Sequence, residues 1–557
     1  MLFWNRISSE KGRFKATAAS LFPPRRLWKR FRPRVRRSRG SFKINLKALI
    51  HAVFRLRQES PKPKWAVELE RKVEAIRSRA LSADPFRFAE PRIYGVEKDP
   101  RNHEYRPIAE YEADDKVIDC LTARYFRCLL DCALSDSCLA FRIRKGTKPP
   151  PQTHDALKKI LNLRRRHSRA GVYVAECDIK GFYDTVSHKT ARVALLELIA
   201  DAAAKTKQMT IDPRAIAIFD AYLASYAFPR SVNEVALKRL KERDAIGTFK
   251  WPEVDLKDLY GGVVPAEIGV PQGGALSCLI ANVVLHYADK KMEKGRRRVE
   301  KPYTYLRYCD DMILLSSSKS SCSKAYDIYQ TALGELKLPC HRPKQVEPYS
   351  GEGKRSFWEG KSNSPYLWSR PRRKGAIPWI QFVGYQMRHD GMVRVRIKSL
   401  KKHRQKVTDV ADRLLATLNP GRSKPGERTP FASGLRKRKA QIIHRLRQKL
   451  ISMSVGRRQL GIAIESPMPM CWAAGFRGLT KHPYPKNSLR ALDRHRERQI
   501  QRVVRRLCEL PDDEVRSDGG KRAKALPYYG FNFSYAGQFE PSLRRAQKTW
   551  RKMSSAN

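Results

Sequence analysis

The sequence predicts an α+β protein, and three observations carry that prediction. Residues 303–308 and 312–315 are aromatic or apolar runs of strand length on either side of Asp310 and Asp311, the pattern of a buried hairpin with acids at its turn. Further strand-length runs lie at 172–178, at 381–385 and in the period-two stretch 392–397, whose arginines share one face. Between and after these, apolar residues recur at helical spacing, most plainly at 65–80, 116–134, 155–163, 326–336, 436–450 and 489–507.

Size and composition set the bounds. At 557 residues, and roughly 150 residues per domain, the chain is expected to form three or four units. A hydrophobic content of 41% with nine tryptophans calls for a folded protein. Lys and Arg number 114 against 55 Asp and Glu, a net charge of +59 that concentrates polyanions around the chain. Nucleic acid is the first candidate partner, ribosome-like scaffolding the second and an anionic membrane surface the third.

No window approaches the eighteen or so apolar residues of a spanning helix, and the basic N-terminus lacks a signal-peptide core, so a cytoplasmic protein off the membrane is expected. Eleven scattered cysteines, without a Cys-x-x-Cys pair or a Cys/His cluster, point to reduced thiols rather than disulfides or zinc.

Taken in order, the chain opens on a basic tract, residues 25–39, with nine cations in fifteen positions and no acid. Arg25, Arg26 and Arg30, interleaved with Trp28 and Phe31, suit phosphate contacts beside base stacking. A solvated arm is the other reading. The helix at 65–80 follows, then the helix at 116–134 and a short basic strand or turn at 141–146.

The strand 172–178 ends on Asp178, and a turn through Gly181 leads to a helix opened near Ser187. A carboxylate at the end of a buried strand suits catalysis, and a helix cap is the alternative. Residues 191–260 read as helical, with a basic loop around 229–260. Pro271-Gln272-Gly273-Gly274 then forms a turn before an apolar helix from Ser277 to Leu285; the glycines would let backbone approach a ligand closely. Next come the Asp310-Asp311 hairpin and the helix at 326–336. Buried paired acids are costly unless a cation neutralises them, and a metal ion is the usual answer; an exposed Asp-Asp turn is the alternative. The strand at 381–385 and the alternating strand at 392–397 follow. Beyond residue 400, helices resume around a Pro/Gly-rich linker at 419–430.

Three of these pieces stand in a fixed order: Asp178-Ile179-Lys180-Gly181-Phe182-Tyr183-Asp184, then the Gln-Gly-Gly turn, then Tyr308-Cys309-Asp310-Asp311. In residues and order they resemble motifs A, B and C of the reverse transcriptases. The resemblance extends to a motif-D-like Lys344, to Phe382-Val383-Gly384-Tyr385 as a primer-grip segment, and upstream to Arg106-Pro107-Ile108 and Phe141-Arg142 as fingers motifs of the group II intron-like bacterial branch. It covers roughly 101–410. Two departures are Cys278, where the family often has proline after the motif B serine, and Val383, where leucine is usual.

The resemblance implies a right-hand polymerase. Residues 1–95 would be a basic N-terminal extension, 96–177 mainly fingers, 178–398 the palm (an antiparallel sheet packed with helices) with fingers insertions, 399–455 a helical thumb and 456–557 a basic helical C-terminal extension. It implies RNA-directed DNA synthesis with two Mg2+ ions, or Mn2+ in their place. Asp178, Asp310, Asp311 and the Ile179 carbonyl would hold the metal, with Asp310 a principal ligand and Asp311 auxiliary. Lys344 would protonate the leaving pyrophosphate. Arg106 and Arg142 would hold the triphosphate, Tyr183 would exclude a ribose 2′-hydroxyl, and Gln272 and Gly273 would line the nucleotide. Arg25, Arg26, Trp28, Arg30, Phe382, Gly384 and Tyr385 would contact nucleic acid. Partners would be a structured noncoding RNA template, dNTPs and the DNA product.

Neither a retron signature nor a Cys/His endonuclease segment is found. The profile then resembles the unknown-group reverse transcriptases of antiphage defence. A group II intron maturase-type enzyme without an endonuclease, and a catalytically idle RNA-binding scaffold, are the alternative readings.

Overall fold

The computed structural model describes residues 64–99, 102–143, 150–167, 170–206, 209–236, 247–344, 360–370, 375–417, 439–455, 471–509, 534–536 and 539. The basic tract with Arg25, Arg26, Trp28 and Arg30, and the 419–430 linker, lie outside them. Two compact units emerge. The first takes its described residues from Met1–Gln152, Val172–Leu367 and Arg373–Ala376; the second takes them from Thr153–Gly171, Trp368–Arg372 and Ile377–Asn557.

The first unit begins with α1 (Lys64–Leu81), β1 (Arg92–Asp99), β2 (Glu104–Glu110) and α2 (Ala113–Leu130). β1 and β2 pair antiparallel, and β2 takes a short parallel partner, β4 (Thr248–Phe249). This small sheet escapes the sequence reading because its strands are polar; Arg92, Glu97, Lys98, Glu104, Arg106 and Glu110 give no apolar run to detect.

The second sheet has the order β5-β6-β3-β7: β5 (Tyr303–Tyr308), β6 (Asp311–Ser316), β3 (Val172–Cys177) and β7 (Asn363–Trp368). β5 and β6 are the expected hairpin, and β6 also runs antiparallel to β3. Central placement explains why β3 and β6 read as nearly unbroken apolar runs, since both of their faces are covered.

A four-residue helix, α4 (Phe182–Thr185), follows β3, and helices α5 (His188–Lys205), α6 (Pro213–Ala224), α8 (Ala275–Gly295) and α9 (Lys319–Glu335), with α2, enclose the main core. α8 is buried on almost every side, with Leu276, Ile280, Val283, Val284 and Met292 all in that core. The stretch 191–260 is not continuously helical. It holds α5, α6, a π-helical turn (Phe228–Ala236), β4 and α7 (Glu253–Tyr260) among its described residues. Pro213 at the start of α6, capped by Asp212, opens a new helix after a break rather than continuing α5.

The second unit holds α3 (Thr153–Arg166), a three-stranded antiparallel sheet and a helical bundle. The sheet has the order β10-β9-β8, from β8 (Trp379–Phe382), β9 (Tyr385–Arg388) and β10 (Val393–Val395). Residues 381–385, expected as one strand, are a hairpin corner: Phe382 pairs with Tyr385 around Val383 and Gly384, whose φ angles are 43° and 85°. Two positive φ values fit a type I′ turn, and a β-branched residue there is strained, which is why no turn signal precedes Gly384. α10 (Ile397–Thr417), α11 (Lys439–Ser454) and α13 (Lys486–Glu509) bury stripes at helical spacing, Val407/Ala411/Leu414, Ile442/Leu446/Leu450 and Ile500/Val503/Leu507. A four-residue helix, α12 (Trp472–Gly475), precedes α13. Among the described residues, no helix is long and apolar enough to cross a membrane.

Candidate active site

The register of the central sheet brings the acids together. Cys177 pairs with Met312 and Tyr308 with Asp311, so extending the β3–β6 ladder by one residue sets Asp178 opposite Asp311 on a shared face. Asp310 sits in the two-residue turn with Cys309, whose φ of 60° is left-handed. A turn with positive φ at its first central position favours glycine there, so Cys309 stores about 1 kcal/mol of strain beside the acids. Asp178 and Asp310 are half-buried and Asp311 is exposed.

The turn is held from beneath by a fully buried ion pair. Arg307 on β5 donates from Nε to Asp289 Oδ1 (2.9 Å) and from Nη2 to Asp289 Oδ2 (2.5 Å), and both residues are 0% exposed. Its Nη1 donates to the Cys309 carbonyl at 3.0 Å and to Asn282 at 3.3 Å. Tyr305 adds a hydroxyl donor to Asp289 at 2.7 Å. The guanidinium therefore clamps α8 to the backbone of the acidic turn.

On its other edge Asp178 meets the segment after α9. His341 N donates to the Asp178 carbonyl (3.0 Å) and Lys180 N to the Pro339 carbonyl (2.7 Å). In this antiparallel pairing Ile179 faces Cys340 without exchanging those bonds, so the Ile179 carbonyl is directed to the opposite edge, where the acidic turn lies. The Ser362 hydroxyl oxygen fixes the Asp178 backbone by accepting from Asp178 N at 3.0 Å.

Two basic side chains face the Asp178 carboxylate. His341 Nε2 lies 3.4 Å and Lys361 Nζ 3.8 Å from Oδ2, and the two nitrogens are 3.1 Å apart. Burial, followed by the charge of Lys361, pulls His341 down to about 4, so it is neutral at pH 7 and accepts from the Lys361 ammonium. Of these two side chains, Lys361 carries the positive charge. Neither residue carries a signal in sequence, because nothing marks 341 or 361 as neighbours of 178.

The turn before α8 is built around a second set of contacts. Ala275 N and Leu276 N, the first orphan donors of α8, both give 2.7 Å bonds to the Asp119 carboxylate on α2. Burial raises Asp119 to about 6. Gly274 is required by packing, because a Cβ there would stand 1.8 Å from the Tyr222 hydroxyl. Gly273, at φ +123°, places its would-be Cβ 3.1 Å from the Ala109 carbonyl. The close approach expected of these glycines is thus made to the protein's own β2 and α6.

Gln272 spans two elements: its carbonyl accepts from Ala109 N (2.9 Å) and its Nε2 donates to Asp184 Oδ1 (2.8 Å). Tyr183, half-buried beside Asp184, bonds its hydroxyl to Cys309 Sγ at 3.3 Å, and burial, then Cys309, raises it. Asp178, Ile179, Tyr183, Gln272, Asp310 and Asp311 are therefore parts of one neighbourhood.

Other expected residues stand differently. Arg142 is buried with its donors turned inward, to Asp131 Oδ1 (2.8 Å) and to the carbonyls of Ser135 (2.6 Å) and Cys138 (2.9 Å). It is a structural anchor for the loop after α2, because a guanidinium so engaged has no fork left for a triphosphate. Arg106 is on the exposed face of β2, and its charge reaches Asp184. Lys344 is exposed, and its backbone exchanges bonds with Ser362 and Ser364.

In the second unit Tyr385 is 0% exposed, with its hydroxyl between His154 Nδ1 (3.1 Å), Gly475 O (3.3 Å) and Gly478 N (3.2 Å). Phe382 is buried too, so neither ring is available for the nucleic-acid contact expected of it, while Val383 and Gly384 at the hairpin corner are half-buried.

The donor set suits a hard cation. Carboxylates and a carbonyl are the oxygen ligands Mg2+ prefers, and that ion keeps several waters or phosphates in its octahedron. Among the described residues no group of three or more His, Cys, Asp or Glu is placed to hold a metal ion by itself. Asp178 and Asp310 would be the residues to hold such an ion, with substrate oxygens and water completing the shell.

Residues 96–349 match the family described as reverse transcriptase (RNA-dependent DNA polymerase), a little under half of the chain. That stretch contains every residue of the neighbourhood except Lys361 and Ser362, and it is an RNA-dependent DNA polymerase domain. No curated protein matches the sequence. Among solved structures, an apo telomerase from Candida tropicalis is similar at 12% identity and a TM-score of 0.35, over 82% of this chain and 65% of that one. Telomerase from Candida albicans, in complex with a TWJ fragment of telomeric RNA, gives 11% and 0.32, over 80% and 66%. Apo telomerase from Candida tropicalis truncated from its C-terminal domain gives 15% and 0.32, over 55% and 57%. The chain spans less than two thirds of each of them.

Proposed function

We propose that this domain copies RNA into DNA at the acidic turn, with Asp178 and Asp310 as the principal metal ligands and Asp311 and the Ile179 carbonyl assisting. The observation that carries the reading is the register that sets Asp178 opposite Asp311 with Asp310 in the adjoining turn. Two divalent ions, Mg2+ or Mn2+, would supply activation of the primer 3′-hydroxyl and neutralisation of the triphosphate. The protein's part is positioning. The Arg307 clamp fixes the turn, and Ser362 and the 339–341 segment fix the backbone at Asp178. The hydroxyl of Tyr183, tied to Cys309, closes the space where a ribose 2′-hydroxyl would sit.

Arg106 on β2 is the arginine we assign to the triphosphate, and Lys344 remains the proposed proton donor to the pyrophosphate. In this reading 96–177 are fingers, 178–398 palm, 399–455 thumb, and the flanks 1–95 and 456–557 hold RNA through their positive charge. Arg25, Arg26, Trp28 and Arg30 would contact that RNA, and Gly384 would approach the primer through its backbone. The +59 charge supports a structured noncoding RNA as template, and antiphage defence is the biological setting we assign to it.

The test is primer extension. Purified protein given an RNA template, an annealed DNA primer, Mg2+ and dNTPs is expected to lengthen the primer. RNA binding without extension would instead identify an idle scaffold.

A further inference from the structure

We propose that Asp184 is a positioning residue for nucleotide recognition: its carboxylate locks the Gln272 side-chain amide in one orientation, with the NH2 turned inward and Oε1 presented to the incoming nucleotide. The inference rests on the polymerase reading above and deepens it.

Gln272 is anchored at its backbone, and its side chain is what can vary. Its backbone is tied to β2 through Ala109 N, and the preceding residues are stitched to the segment after β3. There Val270 N donates to Tyr183 O (2.7 Å) and Gly269 N to Val186 O (2.8 Å). The side chain is free in particular to turn its amide either way round, since the two ends have nearly equal shape and opposite hydrogen-bonding sense. Asp184 removes that freedom by accepting from Nε2 at 2.8 Å. Asp184 is itself immobile. Its N–H donates to Gly181 O (2.7 Å), its carbonyl accepts from Trp251 Nε1 (2.9 Å), and its side chain is 6% exposed. An acid buried this deeply is costly to the fold, so its presence beside Gln272 calls for a role that an apolar residue could not fill.

A charged carboxylate accepts only, and so selects one amide orientation. A protonated one both accepts and donates, and satisfies either. Burial pushes Asp184 up to about 7, against the opposing influence of Gln272, of Lys98 on β1 and of Arg106 on β2. The hydroxyl of Tyr226 is the other titratable group that faces it. As pH rises through 7, Asp184 ionises, Gln272 becomes fixed, and the nucleotide is held more tightly, which lowers KM while kcat stays level. The terminal phosphate of a nucleotide titrates nearby, so the comparison must be made between variants.

The experiment measures KM and kcat for dNTP in primer extension between about pH 6 and pH 8.5. It uses wild type, Asp184→Asn, Gln272→Ala and the double variant. Wild type should show a fall in KM of about three- to tenfold beyond that of Asp184→Asn, the worth of one hydrogen bond. Asp184→Asn should have no further effect on KM once Gln272 is alanine. Gln272→Ala alone should lose the same pH component, a readout that survives if Asp184→Asn does not fold. Parallel KM profiles for wild type and both single variants, or an Asp184→Asn effect of equal size with and without Gln272, would overturn the proposal. Wild-type protein that extends no primer would remove the polymerase reading and this inference with it, whereas extension with parallel profiles removes only the inference.

Discussion

Replacing Asp310 and Asp311 together by alanine is expected to abolish primer extension, by at least about a thousandfold, while RNA binding and the melting temperature stay close to those of wild type. The size follows from the charge that divalent ions neutralise in phosphoryl transfer, several kcal/mol of barrier at tenfold per 1.36 kcal/mol. The preserved fold follows from position. Asp310 is in a two-residue turn and Asp311 is exposed at the start of β6, so neither alanine opens a cavity. Removing like charges from one turn is, if anything, favourable in the absence of a cation. Single-turnover extension and a thermal melt on the same preparation check both halves. Extension within tenfold of wild type would place the chemistry elsewhere.

The second large effect belongs to the Asp289–Arg307 pair. Arg307→Leu should destabilise the first unit by about 3–5 kcal/mol, because it leaves Asp289 buried with no counter-charge. Converting both residues to leucine should recover most of that loss, since an apolar pair of similar volume replaces a desolvated ion pair at little cost. Activity should separate from stability in the double variant. The Cys309 carbonyl still lacks its Arg307 donor, and the left-handed turn that carries Asp310 loses its support. Urea unfolding of the single and double variants, alongside primer extension, checks the separation. Equal stability loss in both would mean that the charge is not what the clamp contributes.

The parts of this site that could be read from sequence were those written in local, periodic residues. The hairpin and β3 announced themselves because both faces of the central strands are buried, so they appear as short apolar runs with acids at their ends. Asp178, Asp310 and Asp311 stand at those ends, and the resemblance to motifs A and C, not the pattern itself, singles them out as candidate ligands. What sequence could not show is contact between distant, unpatterned residues. His341 and Lys361 reach Asp178 from a segment after α9 and from the residues just before β7, and Asp119 caps α8 from 156 positions away. Arg142 illustrates the converse: beside Phe141 it matched a fingers motif, yet its environment is Asp131 and a ring of carbonyls that only the folded loop creates. Val383 lies in the middle of the strand expected at 381–385, and valine favours strands, yet it adopts a positive φ at the hairpin corner. The β1–β2 sheet was invisible for the opposite reason, since its charged residues mask a period of two.

On the proposed function, Asp178 and the turn at 310–311 together hold the divalent ions of a templated polymerase. Counting bound Mn2+ by electron paramagnetic resonance, on the protein with primer, RNA template and a dNTP, tests it without relying on turnover. Two ions per wild-type complex, and the loss or marked weakening of at least one in Asp178→Asn, is the result this geometry predicts. The same number of ions bound with the same affinity in wild type and Asp178→Asn would contradict it.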